Sequence, residues 1–72
     1  MKVKISEIRT DNRFRKELGN IKSLAENIER DGLLYPILIT KDRRLIDGYR
    51  RLTACKLLGW KEIEVNVLSE NP

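Results

Sequence analysis

The residues with the clearest chemical potential lie in one run, Asp47-Gly48-Tyr49-Arg50-Arg51. The run follows a short apolar segment and precedes a helical pattern, so the sequence predicts that Asp47 caps a helix whose first turn carries both arginines. The N-terminus of a helix carries about half a positive charge, and a cation placed there costs roughly 0.3–1 kcal/mol. Two consecutive arginines at this position are therefore electrostatically unfavourable unless something else is bound there.

An anion bound at the helix end would remove this cost. Backbone N–H groups, the helix dipole and the guanidinium groups of Arg50 and Arg51 would all face the anion. Gly48 has no Cβ, so a phosphate oxygen could approach the backbone closely. In the alternative interpretation, both arginines extend into water and Asp47 alone offsets the dipole. The spacing of the residues is compatible with both interpretations.

Positive charge is concentrated in the middle of the chain. The 72 residues carry a formal net charge of +4, and residues 41–61 hold seven basic side chains against two acidic ones. Such a segment attracts partners that carry phosphate groups, and Lys41, Arg43 and Arg44 are candidates for contacts with the DNA backbone. In the alternative interpretation, these charges only keep a small domain soluble.

Composition excludes several classes of protein. The chain has no histidine and one cysteine, so a Ser-His-Asp triad, a Cys-His dyad and an internal disulfide are all excluded. Cys55 lies on the apolar face of a predicted helix, where we expect packing rather than reactivity. No apolar run approaches the ~20 residues of a membrane span, so we expect a cytoplasmic protein without a membrane partner. The length predicts one domain, residues 1–72.

The first half of the chain predicts a strand, a loop and a helix. Polar and apolar residues alternate over residues 2–5, which indicates a short strand. Residues 6–18 are an irregular loop with room for one helical turn, and their Arg13 and Arg15 are candidates for clamping a ligand. Asn20 is the expected N-cap of the first helix, and Gly32 is expected to end it in a left-handed conformation. One apolar stripe defines the buried face of this helix: Ile21, Leu24, Ala25 and Ile28.

The second half predicts a hairpin, a helix and a last strand. Residues 37–40 are mostly β-branched and predict a strand buried on both faces, which a turn at 41–43 connects to a second arm at 44–46. Gly59 is expected to end the second helix, and residues 63–67 alternate as a strand with one wet side. The apolar face of the second helix is expected to contain Leu52, Ala54, Cys55, Leu57 and Leu58. The fold class is therefore α+β, a small mixed sheet with two main helices in the order β-α-β-β-α-β.

Two aromatic residues lie near these elements. Trp60 follows Gly59 and is expected to cover the end of the core, with base stacking as the alternative. Tyr35 precedes Pro36, which favours extended backbone, and the tyrosine is either packed at the rim of the core or placed beside the helix entrance, where it could stack on a ring.

With these residues in view, the chain resembles the N-terminal domain of the ParB/sulfiredoxin superfamily over nearly its whole length. The resemblance rests on the order of several short segments: residues 23–28 (SLAENI), 32–37 (GLLYPI), 45–54 (LIDGYRRLTA) and 58–59 (LG). It implies the same α+β fold.

For function, the resemblance implies a nucleotide site. In ParB partition proteins this domain binds CTP with magnesium, and the segment that matches residues 48–54 holds the triphosphate. The ligand is thus expected to be CTP or another nucleoside phosphate with magnesium. The implied nucleotide- or phosphate-binding residues are Gly48, Tyr49, Arg50, Arg51 and Ala54.

The chain departs from the ParB pattern at three positions. Tyr49 replaces the usual Glu, Thr53 replaces an Arg and Tyr35 replaces a Gln. The helical segment that supplies magnesium ligands in ParB, and its helix-turn-helix, lie beyond where this chain ends. We therefore expect no nucleotide-operated DNA clamp of the partition type, and no metal ligand is assigned in this chain.

Other branches of the superfamily suggest enzymes. The sulfiredoxin branch places its catalytic cysteine where this chain has Tyr49, so reductase chemistry is not supported. The ADP-dependent serine kinases have a D-G-x-H-R motif similar to residues 47–51, in which Asp47 would act as a general base. Some members are described as nucleases, which also require an acid such as Asp47 together with a metal site.

These observations lead to one leading hypothesis and two alternatives. We expect a stand-alone ParB-like domain that binds a nucleotide or another phosphate anion at the N-terminus of the second helix, as a regulatory module in a DNA-related process. The alternatives are a phosphoryl-transfer or nuclease enzyme that uses Asp47, and a sequence-independent DNA-binding module. A homodimer is a further expectation, since ParB-like domains engage each other through nucleotide.

Overall fold

The predicted α+β fold and its element order are confirmed. The computed structural model describes residues 1–10 and 19–68. Within these residues the elements are, in chain order, β1 (Lys2–Lys4), a 3-10 turn (Ile5–Glu7), α1 (Ile21–Asp31), β2 (Ile37–Ile39), β3 (Leu45–Asp47), α2 (Tyr49–Leu57) and β4 (Glu62–Val67). The 3-10 turn opens the predicted loop. The candidates Arg13 and Arg15 lie outside the described residues.

The four described strands form one mixed sheet in the order β1-β4-β2-β3. β4 pairs antiparallel with β1 and parallel with β2, so the last described strand lies in the middle of the sheet. β2 and β3 form the predicted antiparallel hairpin, whose register shifts between Leu38 and Ile39. Leu38 pairs with Asp47, which keeps Asp47 in extended backbone at the end of β3.

The core lies where the sheet meets the helices. β4 alternates as predicted, with Ile63 and Val65 buried. Two predictions about burial are wrong: Leu38 in β2 is half-buried rather than buried, and Leu57 at the end of α2 is exposed. The buried hydrophobic residues are Val3, Ile5, Ile8, Ala25, Ile28, Ile37, Ile39, Leu45, Leu52, Ala54, Cys55, Ile63 and Val65.

Helix α1 begins and ends at the predicted residues. The Ser23 N–H donates to Oδ1 of Asn20 at 3.0 Å, so the asparagine is the N-cap. At the other end, the Gly32 N–H donates to the Ile28 carbonyl at 2.7 Å. Gly32 has the expected positive φ of 81°, but its ψ of 172° leads into extended backbone rather than left-handed helix.

Helix α2 ends with two capping hydrogen bonds around Gly59. The Gly59 N–H donates to the Lys56 carbonyl at 3.0 Å, and the Trp60 N–H donates to the Cys55 carbonyl at 3.1 Å. This pair of bonds is a Schellman motif, and Gly59 supplies the positive φ of 81° that the motif needs. Trp60 is partly buried against the core, as predicted.

Candidate functional site

The candidate site begins where β3 passes into α2. Gly48 is the N-cap of α2, with φ 105° and ψ 27° in the left-handed region, and Tyr49 is the first helical residue. The prediction that Asp47 caps this helix is wrong, because pairing with Leu38 keeps Asp47 in β3. Helix α2 therefore starts without an acceptor from the side chain of its own N-cap.

Glycine is required at position 48 by packing. A Cβ built there would lie 2.7 Å from Cγ2 and 3.0 Å from Cβ of Ile37, and 3.2 Å from Nη2 of Arg51. Ile37 is fully buried in β2, so it has little freedom to move away. Ile37 occupies the space that a Cβ of residue 48 would fill. On that side of the backbone, the structure therefore does not support the predicted close approach of a phosphate to Gly48.

Arg51 is held against the loop that precedes β2. Its Nη1 donates to the Tyr35 carbonyl at 3.3 Å, and its Nη2 lies 3.9 Å from Oδ2 of Asp47. The Arg51 side chain is 28% exposed, whereas Asp47 is 77% exposed. This long and solvated ion pair contributes little stability, so the main structural effect of Arg51 is to join the start of α2 to the Tyr35 backbone.

Arg50 is the exposed cation of the first turn. The first intrahelical hydrogen bond of α2 runs from the Leu52 N–H to the Gly48 carbonyl at 2.8 Å, so the N–H groups of residues 49–51 precede it at the helix end. The first turn of α2 contains no acidic residue. As predicted, both arginines therefore lie at the positive end of the helix dipole.

The loop between α1 and β2 presents two exposed apolar side chains beside Arg51. Leu34 is 71% and Tyr35 69% exposed. The same loop and Arg51 border a cavity of about 140 Å³ whose floor includes Leu24 and Ile28 of α1. The alternative that places Tyr35 beside the helix entrance is therefore the one observed, and its ring is accessible.

The other predicted site residues lie deeper in the fold. Tyr49 is half-buried against the core, and Ala54 is fully buried about 7.5 Å further along the helix axis. Ala54 can therefore affect a ligand at the helix end only through packing. Cys55 is also fully buried, and desolvation raises the pKa of its thiol to about 11, which agrees with its predicted packing role.

The DNA-backbone candidates Lys41, Arg43 and Arg44 lie at the other end of β3, around the hairpin turn. The structure adds a cation that sequence reasoning missed: the backbone of Arg9 pairs with this turn. No local pattern could have indicated this contact, because it joins residues more than 30 positions apart.

The described part of the chain holds neither a metal-ligand cluster nor a membrane-spanning helix. Among residues 1–10 and 19–68, no group of three or more His, Cys, Asp or Glu side chains could hold a metal ion. Within the same residues, neither α-helix has the length and apolar content that a membrane crossing needs.

Comparisons with known proteins agree on one family. The model of the ParB N-terminal domain matches residues 1–71. A probable chromosome-partitioning protein ParB of Rickettsia felis is 40% identical over 72 residues, which is 96% of this chain and 24% of that protein. The chain thus spans about a quarter of the length of this curated relative.

Solved structures confirm the fold. The C-terminally truncated ParB of Caulobacter crescentus complexed with CTP-gamma-S has a TM-score of 0.82 at 19% identity, over 99% of this chain and 44% of that one. The same truncated protein complexed to the centromeric parS site has a TM-score of 0.79 at 21% identity, over 99% and 40%. Sulfiredoxin from Arabidopsis thaliana has a TM-score of 0.79 at 22% identity, over 96% and 85%.

Proposed function

The chain belongs to the ParB N-terminal domain family, and from that membership we propose that it is a partition-type regulatory module that binds the phosphate groups of a nucleotide at the start of α2. One curated relative, from Rickettsia felis, is a probable chromosome-partitioning protein. A structure with the same fold holds a CTP analogue, which supports a nucleoside triphosphate as the ligand class and CTP as the first ligand to test.

One observation carries the proposal: Arg50 and Arg51 are the second and third residues of a helix whose first turn contains no acid and whose N-cap has no side chain. Each cation there costs roughly 0.3–1 kcal/mol against the helix dipole. An anion at the helix end converts both costs into attraction, because it accepts from N–H and guanidinium groups together.

The two arginines would have different roles in this complex. Arg50 is exposed and would contact phosphate oxygens directly. Arg51 donates to the Tyr35 carbonyl, so it would hold the loop in place and present its remaining donors to the ligand. Asp47 is the more exposed partner of Arg51, 3.9 Å from its Nη2, and this solvated pair would orient the guanidinium only weakly.

Tyr35 would bind the base of the nucleotide. The residue is 69% exposed, and its carbonyl accepts from Arg51, so it is next to an arginine that would serve the phosphates. Stacking of a base on an aromatic ring is worth about 1–3 kcal/mol and tolerates different bases. We therefore expect weaker discrimination between nucleotides than hydrogen bonding to the base edge would give.

Magnesium would be held mainly by the nucleotide. The described residues contain no cluster of three metal-ligating side chains, and Asp47 is approached by Arg51. Mg²⁺ commonly keeps several waters and binds through substrate phosphates. When bound, it would neutralise phosphate charge, while Arg50 and the helix end orient the phosphates.

Isothermal titration calorimetry of CTP, ATP and ADP with magnesium tests the proposal on the full chain. Arg50→Ala removes a charge-assisted contact and should weaken binding by about 10- to 100-fold, since such a hydrogen bond is worth about 1.5–3 kcal/mol. Arg30→Ala is the matched control, because Arg30 is an exposed arginine on α1 with side-chain partners on its own helix.

A second ligand distinguishes the contribution of the Tyr35 ring from that of the phosphate contacts. Tyr35→Ala should weaken CTP binding by about 5- to 100-fold while leaving the binding of inorganic tripolyphosphate unchanged, since only the nucleotide has a base to stack. If the wild-type chain binds neither nucleotides nor tripolyphosphate, or if Arg50→Ala and Arg30→Ala bind equally well, the proposed site does not exist.

A further inference from the structure

The β2–β3 turn has an unusual residue at its tightest point. The Thr40 N–H donates to the Arg44 carbonyl at 2.9 Å, and the Arg43 N–H donates to the Thr40 carbonyl at 3.0 Å. Residues 41–43 are thus a three-residue hairpin loop whose last member adopts a left-handed conformation. That residue is Arg43, with φ 69°, and it is the only described residue other than glycine with a positive φ.

Glycine is the residue that this position favours. A left-handed conformation costs a residue with a Cβ roughly 1–2 kcal/mol, and asparagine tolerates it better than arginine. The hydroxyl of Thr40 accepts from the Arg44 N–H at 3.1 Å, which fixes the turn further. Arg43 therefore adopts a backbone conformation that arginine disfavours.

Arg9 brings a fourth cation to the same turn. Its N–H donates to the Arg43 carbonyl at 2.7 Å, and its carbonyl accepts from the Leu45 N–H at 2.8 Å. Its guanidinium donates to the backbone carbonyl of Asp42 at 2.8 Å. Two hydrogen bonds thus join Arg9 to the turn and a third joins it to the first residue of β3, so the backbone that carries these charges is held in place.

We propose that this hairpin patch (Arg9, Lys41, Arg43 and Arg44) binds the phosphate backbone of double-stranded DNA. Four cations against the single acid Asp42 make the turn strongly electropositive. Arg9, Lys41 and Arg44 are exposed, and Arg43 is partly exposed. Several exposed cations around one turn suit a polymer with repeated phosphates better than a small ligand, which needs a concave site.

The hairpin patch is separate from the start of α2. β3 lies between them and spans about 10 Å at the usual rise of a strand. The inference therefore does not rest on the proposed nucleotide site. Because backbone contacts carry no sequence information, the binding is independent of DNA sequence.

Fluorescence anisotropy of a labelled 20-base-pair duplex, titrated with the full chain at several salt concentrations, tests the patch. Three or four phosphate contacts predict a slope of log affinity against log salt of about −3, at about −0.9 per contact. The variant Lys41→Gln/Arg43→Asn/Arg44→Gln removes three charges and should reduce the slope to about −1. Asparagine is chosen at position 43 because it tolerates the left-handed conformation, and circular dichroism checks the fold.

A charge-matched control and a second polyanion make the test specific. Lys2→Gln/Lys4→Gln/Lys22→Gln also removes three positive charges, from exposed positions on β1 and α1, and should keep the slope of the wild type. An equal loss of slope in the control, no duplex binding at all, or equal displacement of the duplex by polyglutamate at matched charge would each overturn the proposal.

Discussion

The two helices of this domain begin in opposite ways. At α1, Asn20 places its side-chain oxygen on the Ser23 N–H at 3.0 Å. At α2, the N-cap is Gly48, which has no side chain, and Arg50 and Arg51 follow in the first turn. The start of α1 is thus capped by a side chain of its own sequence, whereas the start of α2 has no side-chain cap and carries positive charge.

This difference separates residues that serve the fold from residues that serve a ligand. A side-chain cap stabilises a helix by about 1 kcal/mol, and α1 has such a cap. At the start of α2 there is instead a glycine that packs against Ile37, followed by two cations that oppose the helix dipole. If α2 carries the binding site, removing a cation from its first turn should stabilise the free protein, whereas removing the side-chain cap of α1 should destabilise it.

The largest effect is expected from Gly48→Ala. The new Cβ would lie 2.7 Å from Ile37 Cγ2, and alanine disfavours a φ of 105°. Left-handed strain of roughly 1–2 kcal/mol and a steric cost of about 1–3 kcal/mol add to a loss of about 3 kcal/mol in the free energy of unfolding. Urea denaturation followed by circular dichroism measures this loss.

Gly59→Ala is the matched control for this variant. Gly59 has a φ of 81°, but a Cβ there meets nothing within 4 Å. Gly59→Ala should therefore lower the free energy of unfolding only by the cost of the left-handed conformation, about 1–2 kcal/mol. Equal losses in the two variants would show that contact with Ile37 contributes nothing.

The start of α1 could be predicted from sequence, whereas the start of α2 could be predicted only in part. Asn20 and the stripe from Ile21 to Ile28 are local signals, and they identify the helix and its cap together. At α2, the aspartate of an Asp-Gly pair is the stronger cap candidate by residue type. The structure excludes Asp47 as the cap through the register of the β2–β3 hairpin, because Asp47 pairs with Leu38 and is the last residue of β3.

Contacts between distant segments explain the other differences between the sequence predictions and the structure. Arg9 reaches the hairpin turn only because the backbone after the 3-10 turn pairs beside β3. The arginine run itself was visible in sequence, but the contact of Arg51 with the Tyr35 carbonyl depends on how the α1–β2 loop folds back. Residue types therefore predicted which groups could bind phosphate, and tertiary contacts determined which of them are held in place.

An intermediate effect is expected from Asn20→Ala. Losing the cap leaves the Ser23 N–H without its acceptor and should lower the free energy of unfolding by about 1 kcal/mol. Affinity for CTP should not change, because this residue lies at the start of the other helix. Asn20→Asp should keep the stability of the wild type, because aspartate is also a good N-cap. If Asn20→Ala also lost nucleotide binding, the proposed division of roles between the two helix starts would be wrong.

The smallest effect, and the one with the opposite sign, is expected from Arg50→Ala. Removing a cation from the first turn of α2 relieves its repulsion with the helix dipole, so the free energy of unfolding should rise by about 0.3–1 kcal/mol at low salt. The gain should shrink in high salt, where exposed charges are screened. Thermal unfolding at 10 mM and 500 mM NaCl, without nucleotide, measures it against the wild type. Saturating CTP should reverse the order, because the wild type then gains the binding energy that the variant has lost. A variant that is less stable than the wild type in low salt would assign Arg50 to the fold and remove the electrostatic reason for a bound anion.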